Sequence, residues 1–275
     1  MDSAEASGDP LRAIEAELAR SRRYGSVAPG TLRRAAAKGL GAANGDTADA
    51  VKRAKRSLHE IYGAYLPGNP PNYGVLLRKL RAAVDADDRD QLLAALRTAM
   101  TVHASTRERL PYLSDFYRAI FSRVPPPAAV RDLACGLNPL AVPWMGLPGA
   151  TTYLPSDIDI RQVGFLAEAL TALAVPHRTE VLDLVDQPVS ERVDLTLLLK
   201  TVPCLERQRP GAGWDLIGAV NSPFVVVTFP TRSLGQRSKG MFQTYSAAFE
   251  ARARQEAWQV DQAEIPGELI YVVRK

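Results

Sequence analysis

Residues Ala128–Pro139 read AAVRDLACGLNP. An apolar run of strand length, Val130–Ala134, passes directly into Cys135-Gly136, a tight turn with a single glycine. The same plan recurs downstream. Thr151–Leu154 ends at Pro155-Ser156-Asp157, His177–Leu182 at Asp183, Asp194–Leu199 at Lys200 and Phe224–Phe229 at Pro230, while Leu269–Val273 closes the chain. A run of helical period, Val163–Leu173, separates the second and third of these. Apolar runs alternating with helices predict an α/β fold with a parallel, doubly wound sheet. In such sheets a ligand lies beyond the carboxyl ends of the strands, where the strand order reverses. The residues at those ends are therefore the expected site.

Upstream of Pro125-Pro126-Pro127, which cannot be helix interior, the period is helical. Asp9-Pro10 is an N-cap followed by proline at the first helical position, with Leu11, Ile14 and Leu18 at helical spacing and Gly25 ending the run. Thr31 is expected to cap a second, alanine-rich helix that stops near Gly39-Leu40-Gly41. Asp46 or Thr47 opens a third, with Val51, Ala54, Leu58, Ile61 and Tyr65 on one face. Lys52, Arg53 and Arg56 fall on the other side and Lys55 at the margin. Leu66–Asn72 is a loop, Tyr73, Leu76, Leu77 and Leu80 begin another helix, and residues 90–122 continue helical. The chain thus divides into a helical domain over 1–105 and an α/β domain over 106–275.

Composition narrows the function classes. With 46% apolar and 23% charged residues in 275, the chain is globular rather than disordered. No apolar run approaches the roughly 20 residues that span a bilayer, and no N-terminal secretion signal is visible. Two cysteines fit a reducing, cytoplasmic setting rather than a disulfide scaffold. Charge is uneven: residues 20–58 carry ten Lys/Arg against two acids, whereas residues 106–275 carry 18 of each. A basic segment ahead of a neutral domain points to a polyanion such as nucleic acid, or to a solvated Arg-rich surface. Of the 34 basic residues 27 are Arg, which suits bidentate phosphate contacts.

The strand ends carry matched chemistry. Gly136 allows a ligand to approach the backbone. Asp157, 21 residues beyond it, suits ribose hydroxyls, and Asp183 suits an exocyclic amine. Together they describe an adenosine site. A dinucleotide would require G-x-G-x-x-G to rest its pyrophosphate on a helix; the turn here has one glycine. S-adenosylmethionine has no phosphate and tolerates such a turn, but its carboxylate calls for an arginine. The competing readings are a dinucleotide-dependent oxidoreductase and a non-enzymatic RNA-binding protein on the same fold.

The stretches Ser21–Tyr24, Val51–Tyr65, Ser105–Leu110 (STRERL), Arg131–Pro139 (RDLACGLNP), Leu197–Leu205 (LLLKTVPCL) and Val227–Phe242 (VTFPTRSLGQRSKGMF) are shared with one family. From about Ile14 to its end the chain resembles the aminoglycoside-resistance 16S rRNA methyltransferases acting on N7 of a guanine in the decoding A site. It is most similar to members from aminoglycoside-producing actinomycetes. The resemblance implies a Rossmann-like class I methyltransferase sheet behind an N-terminal helical domain, S-adenosylmethionine as methyl donor, and resistance to kanamycin and gentamicin. Another RNA target is the alternative.

It also implies residue roles. Arg109 would pair with the methionyl carboxylate, with Tyr65, His103, Ala104 and Ser105 at the same end. Ala134 and Gly136 would give backbone approach, Asp157 would hold the ribose, and Asp183, Leu184 and Leu199 would meet the adenine. Lys200 and Gln208 would stand at the pocket mouth. Arg237, Lys239 and Met241 would position the target nucleotide, in a segment where no acid occurs between Asp215 and Glu250. Arg22, Arg23, Lys52, Arg53, Lys55 and Arg56 would grip the rRNA backbone. The expected partner is 16S rRNA in the 30S subunit, met by a monomer without membrane or metal. Guanine N7 carries a free in-plane lone pair, so its methylation needs no proton removal and no general base. The scattered His59, His103 and His177, and the separated Cys135 and Cys204, agree with that chemistry. Trp144, Trp214 and Trp258 read as packing residues.

Overall fold

The computed structural model describes residues 9–66, 68–231 and 239–275, and of residues 239–243 only the main chain. Seven strands form one sheet: β1 (Ala129–Leu133), β2 (Thr152–Asp157), β3 (Glu180–Val181), β4 (Leu195–Leu199), β5 (Phe224–Pro230), β6 (Gln259–Ile265) and β7 (Glu268–Arg274). Their order is β3-β2-β1-β4-β5-β7-β6. The first five pair in parallel. Strand order reverses between β1 and β4, and that switch point sets the site.

The sheet is not parallel throughout. β7 runs antiparallel to β5, and β6 antiparallel to β7. Gly267, at φ 89°, turns the chain between them in a conformation that side chains rarely adopt. β6 escapes a reading by apolar runs because its sequence is QVDQAEI, an edge strand with polar residues turned outward. β3 is shorter than the run His177–Leu182 suggests; only Glu180 and Val181 pair with β2, after one bridge between Tyr153 and His177.

Helices α1 (Pro10–Arg20), α2 (Pro29–Gly41) and α3 (Thr47–Ile61) open the chain. Asp9 and Asp46 cap α1 and α3 through their side chains. Thr31 is not a cap: α2 starts at Pro29, and the Thr31 hydroxyl leaves the helix for Asp183. Ile14, Leu18, Leu32, Ala36, Ala54 and Leu58 form a core of their own. Gly39 is required there, because a Cβ would lie 2.4 Å from the Ala50 carbonyl oxygen on α3.

The expected helical run over 90–122 is broken into α5 (Arg89–Met100), α6 (Ala104–Arg109) and α7 (Leu113–Phe121). A bend at Thr101–His103 and the 3₁₀ turn Leu110–Tyr112, built on Pro111, interrupt it. α4 (Tyr73–Asp85), α5 and α7 pack with α8 (Val142–Met145) and α9 (Ile160–Ala172) on one sheet face. Leu80, Leu96, Met100, Phe116 and Ile120 meet Val130 and Leu166 there. So α4 and α5, which precede residue 105, share a core with the sheet, while the separate core ends near Leu66. α10 (Val202–Gln208), α11 (Ala212–Ala219) and α12 (Lys239–Gln255) cover the other face, over Leu198, Val225, Val227 and Phe229. No helix among the described residues is long and apolar enough to cross a membrane.

Candidate active site

Neighbouring parallel strands β1 and β4 end in the same unusual way. Ala134 follows β1 at φ 52°, and Lys200 follows β4 at φ 60°. Side-chain-bearing residues in this region cost about 1–3 kcal/mol each and persist only where their surroundings over-determine them. Lys200 N donates to Thr228 Oγ1 at 3.0 Å, and Thr201 Oγ1 donates to the Leu133 carbonyl at 3.1 Å. These bonds hold the turn after β4 against β5 and against the end of β1. Between these strand ends and the helices at the front of the chain lies a cleft, lined from the strand side by Ala134, Leu199 and Lys200 and from the helical side by Ile61, Tyr62 and Tyr65.

Gly136, at φ 54°, ends the β1 turn. A Cβ there would stand 2.7 Å from His103 Cε1, so the His103 ring lies directly on the glycine. That ring stacks on Tyr65 at 5.7 Å between centroids, and its Nδ1 is 3.0 Å from Ser105 Oγ. Burial, with the Arg109 and Lys200 charges added, pushes the His103 imidazole down to about 3. It is neutral at pH 7.

Asp157 closes β2 and faces the cleft. Gly136 N donates to its Oδ2 at 2.8 Å and Ile158 N to its Oδ1 at 2.7 Å. Asp159 N donates to Oδ1 as well, at 3.4 Å, so the lone-pair capacity left for a ligand is on Oδ2. Burial raises this carboxyl, the Gly136 N–H holds it back, and neighbouring Asp159 adds to the rise. Asp159 caps α9 and accepts from Tyr62 Oη at 2.5 Å.

Asp183 lies two residues beyond β3 and lines the same cleft with Leu184. Its carboxylate is held from α2. Arg34 Nη2 donates to its two oxygens at 2.8 and 3.0 Å, and Thr31 Oγ1 donates to Oδ2. Val185 N adds a third donor at 3.0 Å.

The motif RDLACGLNP acquires a physical meaning beside this cleft. Asn138 Nδ2 donates to Asp132 Oδ2 at 2.9 Å, while its Oδ1 accepts from Tyr117 Oη at 2.6 Å and Arg109 Nη1 at 3.3 Å. Burial pushes the Asp132 carboxyl up to about 7 against the pull of Asn138 and Tyr153. Arg109 is buried over the Phe116 ring. Its Nε and Nη2 donate to Glu268 at 2.8 and 2.7 Å. Glu268 also accepts from Thr228 Oγ1, and Lys200 Nζ lies 3.4 Å away. Burial would raise the Glu268 carboxyl; the charges of Arg109 and Lys200 outweigh it and hold it below its ordinary value. Lys200 Nζ donates in addition to Glu108 at 2.7 Å.

Of the residues expected around the cofactor, Tyr65, His103, Ser105, Ala134, Asp157, Asp183, Leu184, Leu199, Lys200 and Gln208 line this one cleft. Ala104, Arg109 and Gly136 do not line it; Ala104 is buried at the start of α6, Arg109 is engaged by Glu268, and Gly136 reaches it through Asp157. Thr31, Arg34, Tyr62, Cys204 and Glu268 have parts in the site that sequence reasoning did not assign. Cys204 Sγ lies 2.8 Å from Tyr65 Oη. No cluster that could hold a metal ion occurs among the described residues.

Of the expected rRNA contacts, Arg22, Lys52 and Arg56 are exposed, with no ion-pair partner among the described residues. Arg53 pairs with Asp49 at 2.6 Å and Lys55 with Glu17 at 2.8 Å. Arg23 instead turns inward, its Nη2 donating to the carbonyls of Gly63 and Leu66 at 2.8 and 3.1 Å. Arg237 lies outside the described residues, as do the side chains of Lys239 and Met241.

The family model described as "Ribosomal RNA methyltransferase (FmrO)" matches residues 20–272. A 16S rRNA (guanine(1405)-N(7))-methyltransferase of Micromonospora echinospora is 60% identical over 267 residues, 97% of each chain. The protein of the same name from Frankia casuarinae is 64% identical over 263 residues, 95% of this chain and 93% of that one. Among solved structures, the 16S rRNA methyltransferase RmtF in complex with S-adenosyl-L-homocysteine is similar at a TM-score of 0.83 and 32% identity, covering 98% of this chain and 100% of that chain. With a match across nearly its whole length, the chain belongs to the ribosomal RNA methyltransferase (FmrO) family.

Proposed function

We propose that this chain transfers the methyl group of S-adenosylmethionine to N7 of guanine 1405 in 16S rRNA, the reaction for which its relatives are named. Cells carrying it then resist aminoglycosides such as kanamycin and gentamicin. The observation that carries the reading is the convergence of Asp157 and Asp183, from successive strand ends, on one cleft.

The residues fit the adenosine half of the donor. Asp157 would hold the ribose through the lone pair left on Oδ2, while Asp183 and Leu184 would border the adenine, with Leu199 packing against it; all four line the cleft. At the methionine end His103 is neutral and Lys200 is engaged by Glu108 and Glu268. Arg109 stands behind the cleft rather than in its lining, with Nε and Nη2 fixed by Glu268, and would meet the carboxylate through the Nη1 hydrogen that Asn138 does not take. When bound, S-adenosylmethionine supplies a methyl group on a cationic sulfur, open to in-line attack by a lone pair. The chain's own contribution is positioning and electrostatics, because guanine N7 has no proton to give up. Lys200, Arg237, Lys239 and Met241 orient the target nucleotide over the cleft.

Binding of rRNA falls to the helical part, residues 1–105, which also lends Tyr65, His103 and Ser105 to the donor cleft of residues 106–275. Arg22, Lys52 and Arg56 present free cations to phosphates, with Arg53 and Lys55 beside them; Arg23 shapes that surface from behind. The substrate is 16S rRNA within the 30S subunit, met in the cytoplasm by a single copy of the chain and without a metal.

Incubation of 30S subunits with the protein and methyl-labelled S-adenosylmethionine tests this directly. Label at N7 of guanine 1405, located by primer extension or mass mapping, is expected. Label at another base would point to a different RNA target, and no label would leave only RNA binding.

A further inference from the structure

Asp183 is 5% exposed at one end of the cleft. A carboxylate so buried needs a counter-charge. It comes from α2, 149 residues away in sequence, where Arg34 Nη2 donates to both oxygens. The same Nη2 donates to Gln208 Oε1 at 2.9 Å, and Nη1 pairs with Asp186. Gln208 Nε2 in turn donates to the Cys204 carbonyl at 3.3 Å. Thr31, three residues before Arg34 and so on the same helix face, adds its hydroxyl to Asp183. One guanidinium thus ties the loop after β3 to α10 across the end of the cleft. Arg34 is not among the lining residues, whereas Asp183 and Gln208 are.

We propose that Arg34 is a positioning residue for the methyl donor: from α2 it fixes the Asp183 carboxylate as an acceptor for the exocyclic amine of adenine. This rests on the adenine reading of Asp183 given above. An ionised carboxylate accepts hydrogen bonds and donates none, so it selects a ring that carries an amine over one that carries a carbonyl. That selection requires the carboxylate to stay in one orientation. Arg34 supplies the charge and, through Nη2, the hydrogen bonds that hold it there, while Nη1 on Asp186 anchors the guanidinium. Without the guanidinium, Asp183 keeps Thr31 and Val185 as donors but has no cation, and the link to Gln208 is gone.

Calorimetric titration of the full chain with S-adenosylhomocysteine and with S-inosylhomocysteine, whose ring bears a carbonyl in place of the amine, tests the proposal. The wild type should prefer the adenosyl ligand by at least about tenfold, as a site built around a polar partner does. Arg34→Ala should weaken the adenosyl ligand by about tenfold or more, the loss of a charge-assisted contact, and the inosyl ligand by less than about twofold, because the inosyl ring makes no such contact. Arg34→Lys, which keeps the charge without the second nitrogen that reaches Asp186, should fall between. A merely structural role would weaken both ligands equally; that result, unchanged affinities, or tighter adenosyl binding overturns the proposal. Asp183→Asn in the same titration separates it from the reading beneath it. If Asp183→Asn leaves selectivity intact, the adenine assignment itself is wrong. If Asp183→Asn abolishes selectivity and Arg34→Ala does not, the role of Arg34 alone falls.

Discussion

Glu268→Gln is a substitution whose consequence the sequence would not announce. Glu268 and Arg109 have side chains 2% and 3% exposed, joined by two hydrogen bonds of 2.7 and 2.8 Å. Glu268 also serves Thr228 and Lys200. An amide at this position has one acceptor instead of two, sets an NH₂ against N–H donors, and leaves a buried guanidinium without its counter-ion. Breaking a buried pair in this way costs about 3–5 kcal/mol. Asn138 and the Phe116 ring still contact Arg109, which places the expected loss near the lower end, about 3 kcal/mol. Urea unfolding followed by circular dichroism reads it. Arg109→Met combined with Glu268→Leu removes both charges and should recover much of the loss, giving a coupling of about 2 kcal/mol or more. The pH arm has a definite sign. The Glu268 carboxyl is held below its ordinary 4.5 in the folded chain, so its stabilisation is complete above that value and is lost as pH falls through the lower, folded one. Glu268→Gln should lack this acid-side decline. A loss under about 1 kcal/mol, or additive effects in the double variant, would refute the picture of a coupled buried pair.

Gly136→Ala should destabilise the fold by about 1–2 kcal/mol for a Cβ in the left-handed region, and should weaken S-adenosylmethionine binding as the His103 ring is displaced; calorimetry at unchanged affinity would contradict the close approach of 2.7 Å. Lys52→Glu with Arg56→Glu should leave donor affinity alone but weaken 30S binding and flatten its dependence on salt. An unmoved salt slope would take α3 away from the rRNA surface. Asp132→Asn should remove a pH dependence of opposite sign to that of Glu268. The Asp132 carboxyl is raised to about 7, so the folded chain binds the proton more tightly and stability falls as pH rises from about 4 through about 7. Matching stabilities of wild type and variant at pH 5 and pH 8 would speak against it.

What the sequence discloses is what depends on local order. Strand-end residues such as Asp157 and Lys200 are legible because a parallel sheet delivers every strand's carboxyl end to one edge. Lys52 and Arg56 are legible because helical period separates them from Val51, Ala54 and Leu58, which are buried as that period requires. Pairings made only by the tertiary fold are not legible. Arg109 is 159 residues from Glu268, and nothing near Arg109 in sequence shows that a carboxylate on β7 will claim two of its nitrogens. Arg23 looks like its basic neighbours, yet the loop at Gly63–Leu66 lies within its reach and turns it inward. Thr31 was reasonable as a cap by residue type, but Pro29 can begin a helix without a side-chain cap, and the freed hydroxyl found Asp183. β6 was hidden because an edge strand exposed to water alternates in a way that apolar runs do not reveal.

The helical front of the chain is more than the proposed surface for RNA, because the cleft is not complete without it. Ile61, Tyr62 and Tyr65 line it from α3 and the turn that follows. Ala28 N donates to the Ile158 carbonyl and Ile160 N to the Ser26 carbonyl, both at 2.8 Å, so the segment before α2 is stitched main chain to main chain onto the loop after β2. Tyr62 reaches Asp159 and Arg34 reaches Asp183, one contact behind each of the two strand ends that carry the adenosine reading. The Asp183 carboxylate therefore takes its orientation partly from the same helical front that presents Lys52 and Arg56 to solvent. If rRNA docks on Lys52 and Arg56 as proposed, the same element would bring the target base to a methyl donor whose seat it has helped to shape. That arrangement suits a reaction that depends on alignment and requires no proton transfer.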